Sequence, residues 1–117
     1  MSLLLEALTC SDQGVQLATL SSLEPALLDP PPVFIQQLEA LVSRLLTLVS
    51  SPAMKIRITS IRCIHALSQF PVHEVLPFRA RVLRALAQPL DDRKRMVRKE
   101  AVQARGKWFL LGSPVGR

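Results

Sequence analysis

Four side chains in this sequence are of the types that bind metals through sulfur or nitrogen: Cys10, Cys63, His65 and His73. A cysteine-held metal cluster takes about four thiolates, and the sequence contains two cysteines. Cys63 and His65 are two residues apart, so on a helix they point in different directions. We therefore expect Cys63 to be buried and inert, and predict that the chain holds neither a metal nor a cofactor.

No residue spacing in the sequence matches a catalytic site. Glu39 and Glu74 are isolated carboxylates. A glycine-rich phosphate loop and a Ser/His/Asp arrangement are both missing from the sequence. We therefore predict a protein without enzymatic activity and without catalytic residues.

The clearest chemical signal is a group of bases toward the C-terminal end. Residues 79–107 contain ten Lys or Arg and three acids, whereas residues 1–50 contain one base and five acids. Such an asymmetry indicates that the basic end meets an acidic protein surface or a nucleic acid. The candidate partner-binding residues are Arg93, Lys94, Arg95, Arg98, Lys99, Arg105 and Trp108.

Structural roles for the same residues stay open at this point. On a helix, Lys94, Arg98 and Arg105 fall within about 40° of each other, beside an apolar stripe. Arg98, like Arg57, could instead pair with a turn residue such as Asp92, and the other bases could form a solvated face. Trp108, with the apolar residues that follow it, could cap the last unit or anchor an interface.

The choice between a protein and a nucleic-acid partner depends on the aromatic residues. Binding to single strands often combines bases with aromatic side chains on which nucleobases stack. Aromatic residues make up 4% of this sequence, and Trp108 lies on the predicted packing stripe. We therefore predict a protein partner, with direct nucleic-acid binding as the competing hypothesis.

The helices that carry these residues follow a period of 41. One apolar-to-small stripe, at the spacing of a single helix face, recurs three times: Val15, Thr19, Ser22 and Ala26; Ile56, Ser60, Cys63 and Leu67; Val97, Ala101, Ala104 and Trp108. Small residues in mid-helix let two helix axes approach closely. A second stripe precedes the later two, at Phe34, Leu38, Leu41, Leu45 and Leu48, then Val75, Arg79, Val82, Leu86 and Pro89.

A period of this length with two helices per unit is typical of HEAT repeats. We predict an all-α, HEAT-type α-solenoid of about three antiparallel helix pairs, with units near residues 1–29, 33–70 and 71–112. The expected helices lie near 2–9, 12–28, 33–49, 52–69, 73–88 and 92–110, with a kink at Pro77. The alternative is an ordinary helical bundle whose periodicity is accidental.

Compartment and association follow from other simple features. The apolar runs are too short to span a membrane, and two cysteines without an export signal suggest the cytosol or the nucleus. The first predicted helix is rich in leucine, at Leu3, Leu4, Leu5 and Leu8. An apolar patch left open tends to associate, so we expect the fragment to self-associate.

Three segments carry a resemblance to a known family: LLLEALTC at the start, SSPAMKIRI in the middle, and PLDDRKRMVRKEAVQARGKWFLLGSP at 89–114. Together they resemble the C-terminal HEAT-repeat domain of the large adaptors of the cytosolic iron–sulfur targeting complex. That family was named for methyl-methanesulfonate sensitivity and nucleotide-excision repair. The resemblance covers essentially the whole chain and implies the end-piece of a longer solenoid.

The resemblance also implies partners. In that family the C-terminal repeats bind a small iron–sulfur carrier protein, which binds a WD-repeat propeller protein. The complex serves apo iron–sulfur helicases and polymerases of DNA replication and repair, in the nucleus and cytoplasm with a spindle-associated pool. The alternatives are a HEAT scaffold of another pathway, such as transport or chromatin, and nucleic-acid binding through the basic end.

Overall fold

Three long helices lie side by side and form one layer of the computed structural model, which describes residues 1–112. They are α2 (Gln13–Ala26), α5 (Met54–Leu67) and α9 (Arg95–Phe109), and α5 packs between the other two. The remaining helices form a second layer: α1 (Ser2–Thr9), α3 (Pro32–Gln36), α4 (Leu38–Leu48), α6 (Val72–Val75), α7 (Arg79–Ala85) and α8 (Ala87–Leu90). The molecule is 20 Å thick along its shortest axis, as expected for two layers of helices.

The first-layer helices reproduce the period of the sequence. Helices α2 and α5 are offset by 41 residues at both ends, and α9 begins 41 residues after α5. Each packs against a second-layer helix of its own unit: α2 against α1, α5 against α4, and α9 against α7 and α8. This arrangement, with no strand among residues 1–112, confirms the predicted helical-repeat fold.

The turns before α5 and α9 are alike and shift both helix starts. Ser51 Oγ accepts a hydrogen bond from the Ala53 amide, and Asp92 Oδ1 accepts one from the Lys94 amide. Ala53 and Lys94, which follow these turn hydrogen bonds, are extended, and the helices begin at 54 and 95, later than the predicted 52 and 92.

The second-layer helices are more broken than predicted. The helix expected at 33–49 is interrupted at Gln37, which has φ −108°, and nothing in its neighbourhood explains the break. The helix expected at 73–88 divides into α6, a 3-10 turn at Leu76–Phe78, α7 and α8. Pro77 lies in that 3-10 turn, where it cannot donate a helical hydrogen bond, so the predicted kink is confirmed.

The core lies between the layers and along the seams of the first layer. In the second and third units the repeated stripe is buried in full: Ile56, Ser60, Cys63 and Leu67, then Val97, Ala101, Ala104 and Trp108. The equivalent stripe of α2 is open to solvent, with Val15 and Ser22 exposed. The stack therefore presents two different end faces, one on α2 and one on α9.

The candidate docking surface

The buried stripe of α9 fixes which face of that helix remains available. Val97, Ala101, Ala104 and Trp108 are 0% exposed, and the Trp108 indole Nε1 donates to the Ile64 carbonyl of α5 at 2.8 Å. The Trp108 ring is therefore enclosed by the chain itself and joins α9 to α5, which is the packing role that the sequence left open. Contact of Trp108 with a partner stays a prediction.

Arg57 and Asp92 connect the second unit to the third. Arg57 Nε lies 2.8 Å from Asp92 Oδ2, with side chains 16% and 12% exposed, and Arg57 Nη2 donates to Asp92 Oδ1 at 3.2 Å. Arg57 Nη1 also donates to the Ser51 and Pro52 carbonyls, at 3.0 and 3.2 Å. The structural role that the sequence left open for Arg57 is therefore the one observed.

Arg98 repeats half of this arrangement. Its Nη1 donates to the Asp92 and Arg93 carbonyls at 2.7 and 3.1 Å, which lie 41 residues after the carbonyls bound by Arg57. Within residues 1–112, however, Arg98 has no carboxylate partner. Arg98 does not form the side-chain ion pair with Asp92 that the sequence left open, because that carboxylate faces Arg57.

The surroundings of Asp92 favour its ionised form. Partial burial by itself favours its neutral form, but this is outweighed by hydrogen bonds from the Lys94 amide and from Arg57 and by the charges of Arg57 and Arg93. The net result is a lowered pKa for the Asp92 carboxyl. The ionised Asp92 carboxylate in turn attracts the Arg57 guanidinium.

The remaining candidate bases form one exposed group, which we call the basic face. Arg95, Lys99 and Arg105 lie on the solvent side of α9, and Arg93 and Lys94 lie in the turn before it. None of these five has a carboxylate within ion-pair distance among residues 1–112. The structure thus brings together five of the six candidate bases, places the partly buried Arg98 against the turn carbonyls, and buries Trp108.

Apolar side chains are interspersed with these charges. Met96, Val102, Phe109 and Leu110 are 56%, 59%, 51% and 48% exposed. On a helical wheel Val102 and Phe109 lie between the positions of Lys99 and Arg105. A surface that mixes cations with half-exposed apolar groups is suited to a partner that is both acidic and apolar.

Phe109 is held between two arginines that sequence reasoning did not connect with it. The guanidinium carbons of Arg79 and Arg105 lie 5.4 and 5.2 Å from its ring centroid, within cation–π range. Arg79 also donates to the Trp108 and Phe109 carbonyls at 3.1 and 2.7 Å, which satisfies the end of α9. The only sequence signal was that Arg79 occupies the position of the buried Leu38 one period earlier.

The four candidate metal ligands differ in their positions in the fold and in their exposure to solvent. Cys63 is buried in α5, where burial and the charge of Glu24 raise its pKa to about 12, and its thiol lies 3.8 Å from the Leu20 carbonyl. Cys10 follows α1, His65 is half-buried on α5, and His73 is exposed beside Glu74 at 3.2 Å. No group of three such ligands that could hold a metal ion occurs in the described part of the chain.

The fold and this surface define a class: a stack of HEAT-type helix pairs with an exposed basic face on its third unit. The family model described as "RNAPII transcription regulator C-terminal" matches residues 1–68. The chain therefore belongs to the MMS19 C-terminal family, as the sequence resemblance implied. None of the described helices is long and apolar enough to cross a membrane.

Several full-length relatives match almost the entire chain. It is 68% identical over 116 residues to the "MMS19 nucleotide excision repair protein homolog" of Danio rerio, which covers 99% of this chain. It is 57% identical over 114 residues, 97% of the chain, to the human protein of the same name. The Schizosaccharomyces pombe "DNA repair/transcription protein mms19" is 32% identical over 114 residues, 94% of the chain. The chain spans about 11% of the length of each of these relatives.

Proposed function

We propose that this chain is a protein-docking module of an adaptor that works in DNA repair and transcription. In finer terms, the adaptor links a small iron–sulfur carrier protein and a WD-repeat propeller protein to apo iron–sulfur helicases and polymerases. The module acts by offering a surface and has no catalysis of its own. It works in the nucleus and the cytoplasm, with a spindle-associated pool.

The observation that carries this proposal is the basic face on α9. Five exposed bases without carboxylate partners among residues 1–112 repel one another in the free protein, and an acidic partner relieves that repulsion. The family membership supports the repair and transcription context, because the relatives carry those words in their names. The partners themselves follow from the resemblance described above.

A pull-down with the purified carrier–propeller pair tests the proposal. Reversing Lys94, Arg95 and Lys99 to Glu should leave the fold intact, because exposed substitutions usually change stability by about 0.5 kcal/mol or less. It should abolish capture of the pair, because facing like charges cost several kcal/mol. The matched control reverses three exposed bases elsewhere, Lys55, Arg84 and Lys107, and should bind normally.

Two outcomes would overturn this assignment. If the folded triple variant captured the pair normally, the basic face would not be the docking site. If instead the control also lost binding, the loss would reflect total charge and would not locate the interface on the basic face.

Nucleic-acid binding is the second candidate, favoured by the same unpaired bases. Phosphate binding weakens steeply with salt because each neutralised phosphate releases a counterion. A titration against single-stranded DNA at increasing salt separates the two functions. Tight binding at physiological salt that is lost on reversing Lys94, Arg95 and Lys99 would favour nucleic acid.

A further inference from the structure

The faces by which each first-layer helix meets its neighbours can be compared position by position. The stripe at 56, 60, 63 and 67 of α5 faces α2, as shown by the contact between Cys63 and the Leu20 carbonyl. Half a helical turn away lies the face that α5 presents to α9, where Ile61 is part of the core and the partly buried Met54 and Ile58 pack against it. In α2 the equivalent positions include Leu20, which is part of the core, and Leu17, which packs against it.

We call the face that each first-layer helix presents to the next one its onward face, and in α9 the onward face has a different chemistry. The residues one period after Met54, Ile58 and Ile61 are Arg95, Lys99 and Val102, and all three are exposed. A helix pair with an aliphatic packing stripe would desolvate two cations here without compensation, which is strongly unfavourable. The onward face of α9 therefore suits an acidic occupant and excludes another aliphatic unit.

Arg98 shows where one acidic group of that occupant belongs. Arg57 and Arg98 make the same two carbonyl contacts one period apart. The rest of the Arg57 guanidinium holds Asp92, which comes from the turn before the next first-layer helix. The corresponding donors of Arg98, Nε and Nη2, have no hydrogen-bond partner among residues 1–112. The turn carbonyls thus orient a guanidinium whose Nε and Nη2 are available to a carboxylate from outside this range.

We propose that the protein partner docks on α9 as a fourth first-layer helix: an acidic amphipathic helix whose preceding turn supplies an Asp or Glu to Arg98. Its apolar stripe packs on Val102 and Phe109, and its acids face Arg95, Lys99 and Arg105. This inference deepens the docking function proposed above and rests on it. It specifies how the partner binds: by continuing the helical stack in trans.

The test uses the full chain and a synthetic peptide built from its own third unit. The peptide copies residues 91–110, which keeps Asp92 and the stripe of Val97, Ala101, Ala104 and Trp108, and replaces every Lys and Arg by Glu. A second peptide carries Asn at the position of Asp92, and a third has the first composition in scrambled order. Fluorescence anisotropy measures affinity, and amide chemical shifts of the labelled protein locate the site.

We expect the acidic peptide to bind with shifts confined to α9 and its preceding turn, and the scrambled peptide to bind at least tenfold more weakly. Arg98→Lys keeps the charge but loses the planar two-donor geometry, and should weaken the Asp peptide about tenfold. The same variant should change the affinity of the Asn peptide by less than twofold, since coupling requires both partners. Lys107→Ala, an exposed base outside the onward face, is the control and should alter neither.

Three results would overturn the inference: no saturable binding of the acidic peptide, equal affinity for the scrambled peptide, or equal Arg98→Lys losses with the Asp and Asn peptides. These results are distinct from failure of the docking function. If the carrier–propeller pair still required Lys94, Arg95 and Lys99 while the peptide did not bind, the partner would dock on the basic face in another form.

Discussion

At the turn before α9, one carboxylate holds two units together. Asp92 accepts the Lys94 amide at 2.8 Å through Oδ1 and faces the Arg57 guanidinium at 2.8 Å through Oδ2. It therefore shapes the turn of its own unit and ties that turn to the preceding one. Asp91, its neighbour in the sequence, is exposed and makes no ion pair within residues 1–112, so the two residues form a natural matched pair.

Replacing Asp92 by Asn should lower the free energy of unfolding by about 1.5–3 kcal/mol at pH 7, the range for hydrogen bonds to charged groups. Because the pKa of Asp92 is lowered in the folded state, its stabilisation is present above the unfolded-state pKa of about 4 and is lost as the pH falls through the folded-state pKa. Urea unfolding at several pH values measures the difference between the wild-type protein and the variant. Asp91→Asn should show almost no difference, and a pH-independent gap for Asp92→Asn would contradict the ion-pair account.

Trp108 and Phe109 are adjacent but belong to the scaffold and to the surface, respectively. Trp108→Ala should destabilise the protein by about 3–5 kcal/mol, as expected for emptying a buried aromatic site. Phe109→Ala should cost less than about 1 kcal/mol in stability, since it removes mainly an exposed cation–π contact, yet it should weaken partner capture. Thermal unfolding and the pull-down together distinguish the two. Equal stability losses for the two variants would mean that Phe109 is also core.

At the scale of the helices, the seams depend on small residues at one repeat position. Ser22, Cys63 and Ala104 are equivalent by the 41-residue period. Cys63 and Ala104 are 0% exposed, whereas Ser22 is exposed on α2. The close approach of α5 to its two neighbours leaves no room for a larger side chain at the buried positions.

The same substitution at equivalent positions should therefore have opposite outcomes. Ala104→Leu should destabilise the protein by about 1–3 kcal/mol, the usual cost of overpacking a core. Ser22→Leu should change stability by about 0.5 kcal/mol or less, because its position is open. Chemical unfolding of both variants measures this difference. A large loss for Ser22→Leu would mean that the open face of α2 is covered in solution.

Features that are determined by a repeated pattern or by local composition could be predicted from the sequence, whereas features that depend on contacts between distant residues could not. The first-layer helices were predictable because a packing stripe must repeat whenever units stack, and α2, α5 and α9 keep that spacing. The break at Gln37 was not, because neither proline nor glycine marks it in the sequence. The basic face was predictable from charge alone. The separate roles of Trp108 and Arg79 depend on which neighbour each meets across the seam, and local sequence carries no such information.

At the scale of the whole molecule, the two end faces of the stack are not complementary to each other as helix seams. The α2 end carries small and apolar side chains, and its groove is lined by residues that include Leu3, Leu4, Ala7, Ala18 and Ser22, of which Leu3 is 81% exposed. The α9 end is basic. A copy of α9 placed on α2 would bring its bases to an apolar groove, so head-to-tail stacking of copies is disfavoured. Two α2 faces can instead cover each other about a two-fold axis.

We therefore expect the isolated chain to self-associate as a closed dimer through its α2 end. Of the four leucines expected to drive association, Leu8 is buried and Leu3 is exposed, so the apolar contact is made chiefly by Leu3 and the groove. Sedimentation equilibrium should show a monomer–dimer equilibrium without larger species. Ser22→Glu should shift it toward monomer, because each dimer would bury two new charges.

Gln103→Glu on α9 is the matched control for that variant. Gln103 is exposed, as Ser22 is, and the substitution adds the same charge at the opposite end of the stack. It should leave the dimer unchanged, whereas loss of association in both variants would indicate a general charge effect. A monomer at high concentration in the wild-type protein would contradict the prediction. Open-ended growth would instead mean that the α2 and α9 ends meet, because only a head-to-tail contact leaves a free end on every assembly.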